Sequence, residues 1–140
     1  MFKCVIATIG VICAAALSVP AARADHPQPR VQAAPLYFHE LTRINGQFLR
    51  GLYIVVHDEG KMARGEPCTT FYQLKDKVQA RAVVTFKCVP KVRAPVSKTT
   101  FRTCDAVGAT TATPVVDLVD YQFAGDTEAH GVPGVRDAGR

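Results

Sequence analysis

The sequence predicts an all-β fold: a single antiparallel β-sandwich or small barrel behind an N-terminal signal helix. Three observations carry this. Runs rich in Val, Ile, Thr, Tyr and Phe recur roughly every 10 to 15 positions between turn residues from residue 36 onward. Two of these runs are joined by Asn45-Gly46, the strongest short-range hairpin pattern. No stretch after residue 24 combines helical spacing of its apolar residues with a cap.

Residues 1–24 read as a signal peptide. Met1-Phe2-Lys3 is a short basic start, residues 4–19 are an almost unbroken apolar run, and Pro20-Ala21-Ala22-Arg23-Ala24 ends in a small-x-small cleavage pattern. The expected destination is a periplasm or the exterior, with cleavage after Ala24. The competing reading is a membrane anchor, because about 18 apolar residues can span a bilayer. Gly10, Ala14-Ala15-Ala16 and Pro20 argue against it by keeping the segment small and weakly hydrophobic toward its end. Contact with a membrane follows only if the segment is retained.

Cleavage leaves 116 of the 140 residues, one domain of ordinary size, and lowers the formal charge from +5 to +3 by removing Lys3 and Arg23. That charge is unevenly spread. Residues 30–102 hold 13 Lys/Arg and 5 Asp/Glu, whereas residues 103–140 hold 2 and 6.

Residues 25–35, with Pro27, Pro29 and Pro35, read as an extended leader, and the β domain is expected over 36–124. Strands are expected at 36–44 and 47–57 about the Asn45-Gly46 turn, where both central residues must take positive φ. A turn at 58–61 and a loop at 63–67 lead to a strand at 68–74. A charged turn at 75–77 leads to a strand within 78–89, Pro90 and Pro95 interrupt the pattern, and strands resume at 97–104 and 115–123. Residues 125–140, with Gly125, Gly131, Pro133, Gly134 and Gly139, read as a flexible tail.

Cys4 and Cys13 leave with the signal, so Cys68, Cys88 and Cys104 remain in an oxidising compartment. Side chains alternate along a strand, so Cys88 shares a face with Val84 and Phe86, and Cys68 with Tyr72 and Leu74. Cys104 aligns with Arg102 instead. A Cys68–Cys88 disulfide is therefore the favoured pairing, with Cys104 as the free thiol; a bridge to Cys104 is the alternative. The turn between the two strands must centre nearer Val78 than Asp76 to bring Cys68 and Cys88 into range. No Cys-x-x-Cys is present, so thiol exchange and covalent haem lack their usual spacing.

The histidines His26, His39, His57 and His130 read as surface groups. Pairing about Asn45-Gly46 sets His39 opposite Leu52 and His57 opposite Ala34, too far apart to share one ion, so no metal site and no cofactor is expected. Ser97 is the sole serine after residue 24 and lies in no nucleophile elbow. Cys104-Asp105, the pair Asp117 and Asp120, and the pair Asp126 and Glu128 are the thin candidates for an enzyme, and no catalytic residue is assigned. The best candidate for a binding surface is the basic stretch with Lys75, Lys77, Arg81, Lys87, Lys91, Arg93, Lys98 and Arg102. Its ligand would be an anionic envelope component such as a lipid head group or an acidic glycan. Nucleic acid is not expected after export, and Phe86 and Phe101 alternate as core rather than as a stacking platform.

Ile44-Asn45-Gly46-Gln47-Phe48-Leu49-Arg50-Gly51-Leu52-Tyr53-Ile54-Val55 resembles a pattern found in small exported bacterial β-sandwich proteins of unknown function. In these, a strand ending in Asn-Gly is followed by Leu-Pro-Ala-Gly-x-Tyr and an alternating apolar strand. Leu49, Gly51 and Tyr53 match, and Arg50 stands in place of Pro-Ala. The resemblance implies an exported all-β domain and brings no catalytic residue. The expected function is thus a non-catalytic structural or interaction protein of the cell envelope. A binding module for an anionic ligand is the second reading, and an enzyme built on Cys104 or a carboxylate pair is the third.

Overall fold

The computed structural model describes residues 28–75, 79–108 and 112–136, so the expected signal peptide, its cleavage point and Lys77 lie outside it. Its elements are β1 (Val31–Ile44), β2 (Gln47–Asp58), α1 (Glu59–Ala63), β3 (Thr69–Lys75), β4 (Gln79–Phe86), β5 (Val89–Val92), β6 (Thr100–Asp105), β7 (Val115–Gln122) and β8 (Glu128–Gly131). The strands form one sheet in the order β4-β3-β2-β1-β7-β8-β5, with β6 also on β7, and the sheet curls into a half-barrel. The all-β expectation holds, but the sheet is mixed rather than purely antiparallel. Leu41–Arg43 of β1 runs parallel to Val115–Asp117 of β7, an arrangement that needs a long crossover, here supplied by β2 through β6.

The Asn45-Gly46 turn forms with φ of 46° and 83°, and Ile44 pairs with Gln47 as the sequence predicts. Beyond Thr42 the register departs from that expectation. Residues 39–41 bulge between the Thr42–Leu49 and Phe38–Gly51 pairs, so Tyr37 rather than His39 opposes Leu52, and Gln32 rather than Ala34 opposes His57.

Three other expectations are corrected. β1 begins at Val31, within the stretch read as a leader, and carries Pro35 opposite Ile54. Proline is accommodated there because β1 meets β7 only near residues 41–43, so the second edge at Pro35 has no ladder bond to lose. The turn expected at 58–61 tightens into α1, whose N-cap Asp58 accepts the Lys61 N–H at 3.0 Å. Within the stretch read as a flexible tail, β8 pairs with both β5 and β7. Gly131 suits the close approach to β5, since a Cβ there would lie 2.9 Å from Lys91 Cε and 3.1 Å from the Val89 carbonyl oxygen.

The core is aromatic at its centre. Phe71 lies 6.0 Å from both Phe38 and Tyr121 and 6.3 Å from Phe86, centroid to centroid, and Phe101 meets Phe38 edge-on at 5.0 Å. Thr69 and Phe71 form the buried face of β3, whereas Leu74 is exposed and Tyr72 half-buried. Cys68 is nonetheless buried, because it lies ahead of the strand and outside its alternation.

β7 is buried along its whole length although it carries Asp117, Asp120 and Gln122. Arg43 grips Asp117 with two bonds of 2.6 and 2.8 Å. Arg102, Arg93 at 3.2 Å and Lys91 at 3.4 Å converge on Asp120. Gln122 donates to the carbonyls of Ala94 and Asp126 at 2.8 and 2.7 Å. Each buried polar group on the strand therefore has a partner, which is the condition for burying it.

Burial alone would raise the pKa of Asp120, but Arg102, then Lys91 and Arg93, outweigh it and hold the carboxyl below its ordinary range. A depressed folded-state pKa gives stability that is present above the unfolded value and lost as pH falls through the folded one. Asp120→Asn is expected to cost about 1 to 3 kcal/mol at neutral pH, since it removes the buried charge on which the part-exposed Lys91, Arg93 and Arg102 converge, and its deficit should shrink below about pH 4. Urea unfolding across that range measures it; a pH-independent deficit contradicts it. Phe71→Ala is expected to lower unfolding free energy by about 3 to 5 kcal/mol in the same assay.

Candidate metal centre

His57 continues the inward face of β2 set by Tyr53 and Val55, and it is fully buried. Cys88 lies between β4 and β5, and His130 sits within β8, where its ladder partners are Pro90 and Tyr121. The topology brings these three buried residues together, with one donor atom from each all within 4.8 Å of one another.

Cys88 Sγ is the hub. It lies 3.5 Å from His57 Nε2, 3.7 Å from His130 Nδ1, 3.0 Å from Cys68 Sγ and 3.8 Å from Met62 Sδ. An ion with bonds of about 2.3 Å to sulfur and about 2.0 Å to nitrogen at tetrahedral angles sets sulfur and nitrogen about 3.5 Å apart. The two sulfur–nitrogen distances already match that edge. The imidazoles are tilted by 33° with centroids 3.9 Å apart, and Tyr121 packs on His130 at 5.1 Å.

The expected partners Cys68 and Cys88 do meet. The register Thr69 to Phe86 and Lys75 to Gln79 moves the turn past Asp76, as their approach requires. They are nevertheless thiols, with sulfurs at 3.0 Å rather than the roughly 2.05 Å of a disulfide. Each sulfur has other contacts that hold it. Cys68 Sγ accepts the Cys88 N–H at 3.3 Å, while Cys88 Sγ faces the two imidazoles and Met62.

Electrostatics keep the donors neutral. Burial lowers the pKa of His57, and burial with the neighbouring His57 brings His130 down to about 4. The 3.8 Å contact between His130 Nδ1 and Glu128 is therefore no ion pair at neutral pH. Burial, then the hydrogen bond with Cys68, pushes the Cys88 thiol up to about 12. His57 Nδ1 and His130 Nε2 are buried with no hydrogen-bond partner. Such orphaned atoms are rare in folded proteins and call for an explanation.

The surface reading of His57 and His130 is thus corrected by their burial. Alternation from Tyr53 through Val55 was the available signal for His57; His130 carried none, because β8 is short and flanked by turn residues. His39 stays outside the cluster and packs on Tyr37 at 4.7 Å.

The other sequence-derived candidates are dispersed. Of the basic stretch, Arg81, Lys87 and Lys98 are exposed, whereas Lys91, Arg93 and Arg102 turn onto Asp120. Cys104 is a half-buried thiol on β6, beside a cleft of about 520 Å³ that Arg43, Asp117 and Arg136 also line and no histidine does. Asp117 and Asp120 belong to separate ion pairs, and Asp126 accepts from Gln32 at 2.8 Å. Among the described residues no helix is long and apolar enough to cross a membrane.

No family model matches the chain, and no curated protein or solved structure matches it. The residues themselves therefore carry the functional argument.

In the native, metal-free protein, a thiol reagent near pH 8 is expected to modify Cys104 first and Cys88 at least about a hundredfold more slowly, since the buried thiol yields so little thiolate. Mass mapping of the modified peptides measures this; equal rates contradict the burial and protonation described.

Proposed function

We propose that this chain is a non-catalytic β domain of the cell envelope that binds a thiophilic metal ion through His57, Cys88 and His130. The observation that carries the reading is the gathering of buried nitrogen and sulfur donors within 4.8 Å, from elements distant in sequence. Nitrogen and sulfur donors select zinc(II) or copper(I) over magnesium and calcium, which require oxygen. A cation that displaces the Cys88 proton stabilises the thiolate that burial alone disfavours.

Three protein donors lie within 4.8 Å of one another, and the Met62 thioether and the Cys68 sulfur are the further soft atoms beside Cys88, at 3.8 and 3.0 Å. The envelope setting rests on the basic start, apolar run and Ala22-x-Ala24 of the first 24 residues, and is supported by the resemblance carried by residues 44–55.

Titration of the reduced protein with cobalt(II) is expected to give the intense visible bands of a tetrahedral thiolate site, saturating at one ion per chain. Cys88→Ser should abolish them, and His57→Ala or His130→Ala should weaken binding by roughly tenfold to a hundredfold or more. Cys104→Ser should leave binding unchanged. Bands that survive Cys88→Ser, or that vanish with Cys104→Ser, contradict the assignment.

A further inference from the structure

We infer that the ion is monovalent copper, admitted through an acidic mouth and held in part by the Met62 thioether. This rests on the metal-binding reading above and deepens it. Met62 Sδ is 3.8 Å from Cys88 Sγ, in the range of the two ring nitrogens at 3.5 and 3.7 Å. Two imidazole nitrogens and a thioether sulfur thus lie within 3.8 Å of the Cys88 sulfur. A thioether is a soft, neutral donor of the kind that selects copper(I). If the ion were zinc(II), Met62 would be a bystander.

Charge favours the same ion. When copper(I) binds, the Cys88 S–H bond breaks, an S–Cu bond forms and the proton passes to solvent. No electrons are exchanged and the buried site keeps its charge. Zinc(II) reaches neutrality only if Cys68 also loses its proton. Its two thiolates would then have to part from 3.0 Å to about the 3.8 Å of tetrahedral zinc–sulfur geometry.

A path to the cluster is present. A cavity of about 230 Å³ is lined by Met62 and His130 together with Glu59, Asp126, Glu128 and Arg30, whereas Cys88 and His57 are not part of its lining. Arg30 pairs with Glu59 at 2.7 Å and reaches Asp126 at 3.6 Å, so three carboxylates face one guanidinium and the mouth is net negative. Such a mouth concentrates cations. Met62 stands on α1 beside it, so an incoming ion meets the thioether and His130 before the thiol.

The test is competition of the reduced protein against a chromophoric copper(I) chelator and, separately, a zinc(II) chelator, with wild type and Met62→Leu compared. Leucine preserves the apolar contact that Met62 makes with the core, and circular dichroism checks that the fold is kept. Met62→Leu is expected to lose roughly tenfold or more in copper(I) affinity and to keep its zinc(II) affinity. In weak buffer, copper(I) should release about one proton per ion and zinc(II) about two. Equal copper(I) affinity in the two proteins, or parallel loss of both ions, overturns the proposal. A wild-type protein that takes up neither ion overturns the metal-binding reading with it. One that binds both ions regardless of Met62 overturns the copper assignment alone.

Discussion

β7 carries Asp117, Asp120 and Gln122 on a strand whose eight side chains are all buried, and the sheet is organised around keeping those groups paired. Arg43 reaches Asp117 from β1, Arg102 reaches Asp120 from β6, and Lys91 reaches it from β5. β7 also pairs along its ladder with β1, β6 and β8, so the β1–β4 meander and the remaining strands are joined on it. Removing the Arg43 partner of Asp117, or all three cations around Asp120, would leave a buried carboxylate without compensation, a far larger penalty than losing a surface pair.

The proposed metal centre inherits its geometry from this strand. Tyr121 of β7 shares a hydrogen bond with Thr69 at the start of β3 and packs against His130 of β8. Thr69 is the ladder partner of His57 and follows Cys68 directly, and Cys68 and Cys88 flank the β3–β4 hairpin. One buried tyrosine therefore ties the histidine of β8 to the elements holding the other donors. Two buried imidazoles and two thiols make a poorer core than aliphatic side chains at the same positions. A bound ion offsets that deficit by mass action, stabilising the folded state in proportion to the logarithm of its concentration over Kd.

Local chemistry was legible in the sequence, and long-range convergence was not. The Asn45-Gly46 turn, the inward face of Val84, Phe86 and Cys88, and the approach of Cys68 to Cys88 are all properties of neighbouring strands. The hairpin register failed beyond Thr42 because nothing at residues 39–41 announces a bulge. The late start expected for β1 follows from Pro35, which looks like a strand breaker unless its empty edge is known. β8 is short, with a glycine and turn residues around it, and reads as tail. His130 was therefore invisible as a partner for His57, and the basic stretch could not show that Lys91, Arg93 and Arg102 would turn onto a carboxylate in β7. Pairing along a hairpin is written in adjacent residues, whereas pairing across a crossover is set by the completed core.

X-ray absorption at the metal edge of the copper(I)-loaded protein tests the central claim most directly. The account predicts a first shell of mixed sulfur and imidazole nitrogen, with sulfur at about 2.3 Å and nitrogen at about 2.0 Å by analogy with thiolate–imidazole sites. It further predicts that the sulfur signal is lost in Cys88→Ser and the imidazole signal reduced in His130→Ala. A shell of oxygen or nitrogen alone, or one unchanged by both substitutions, contradicts it.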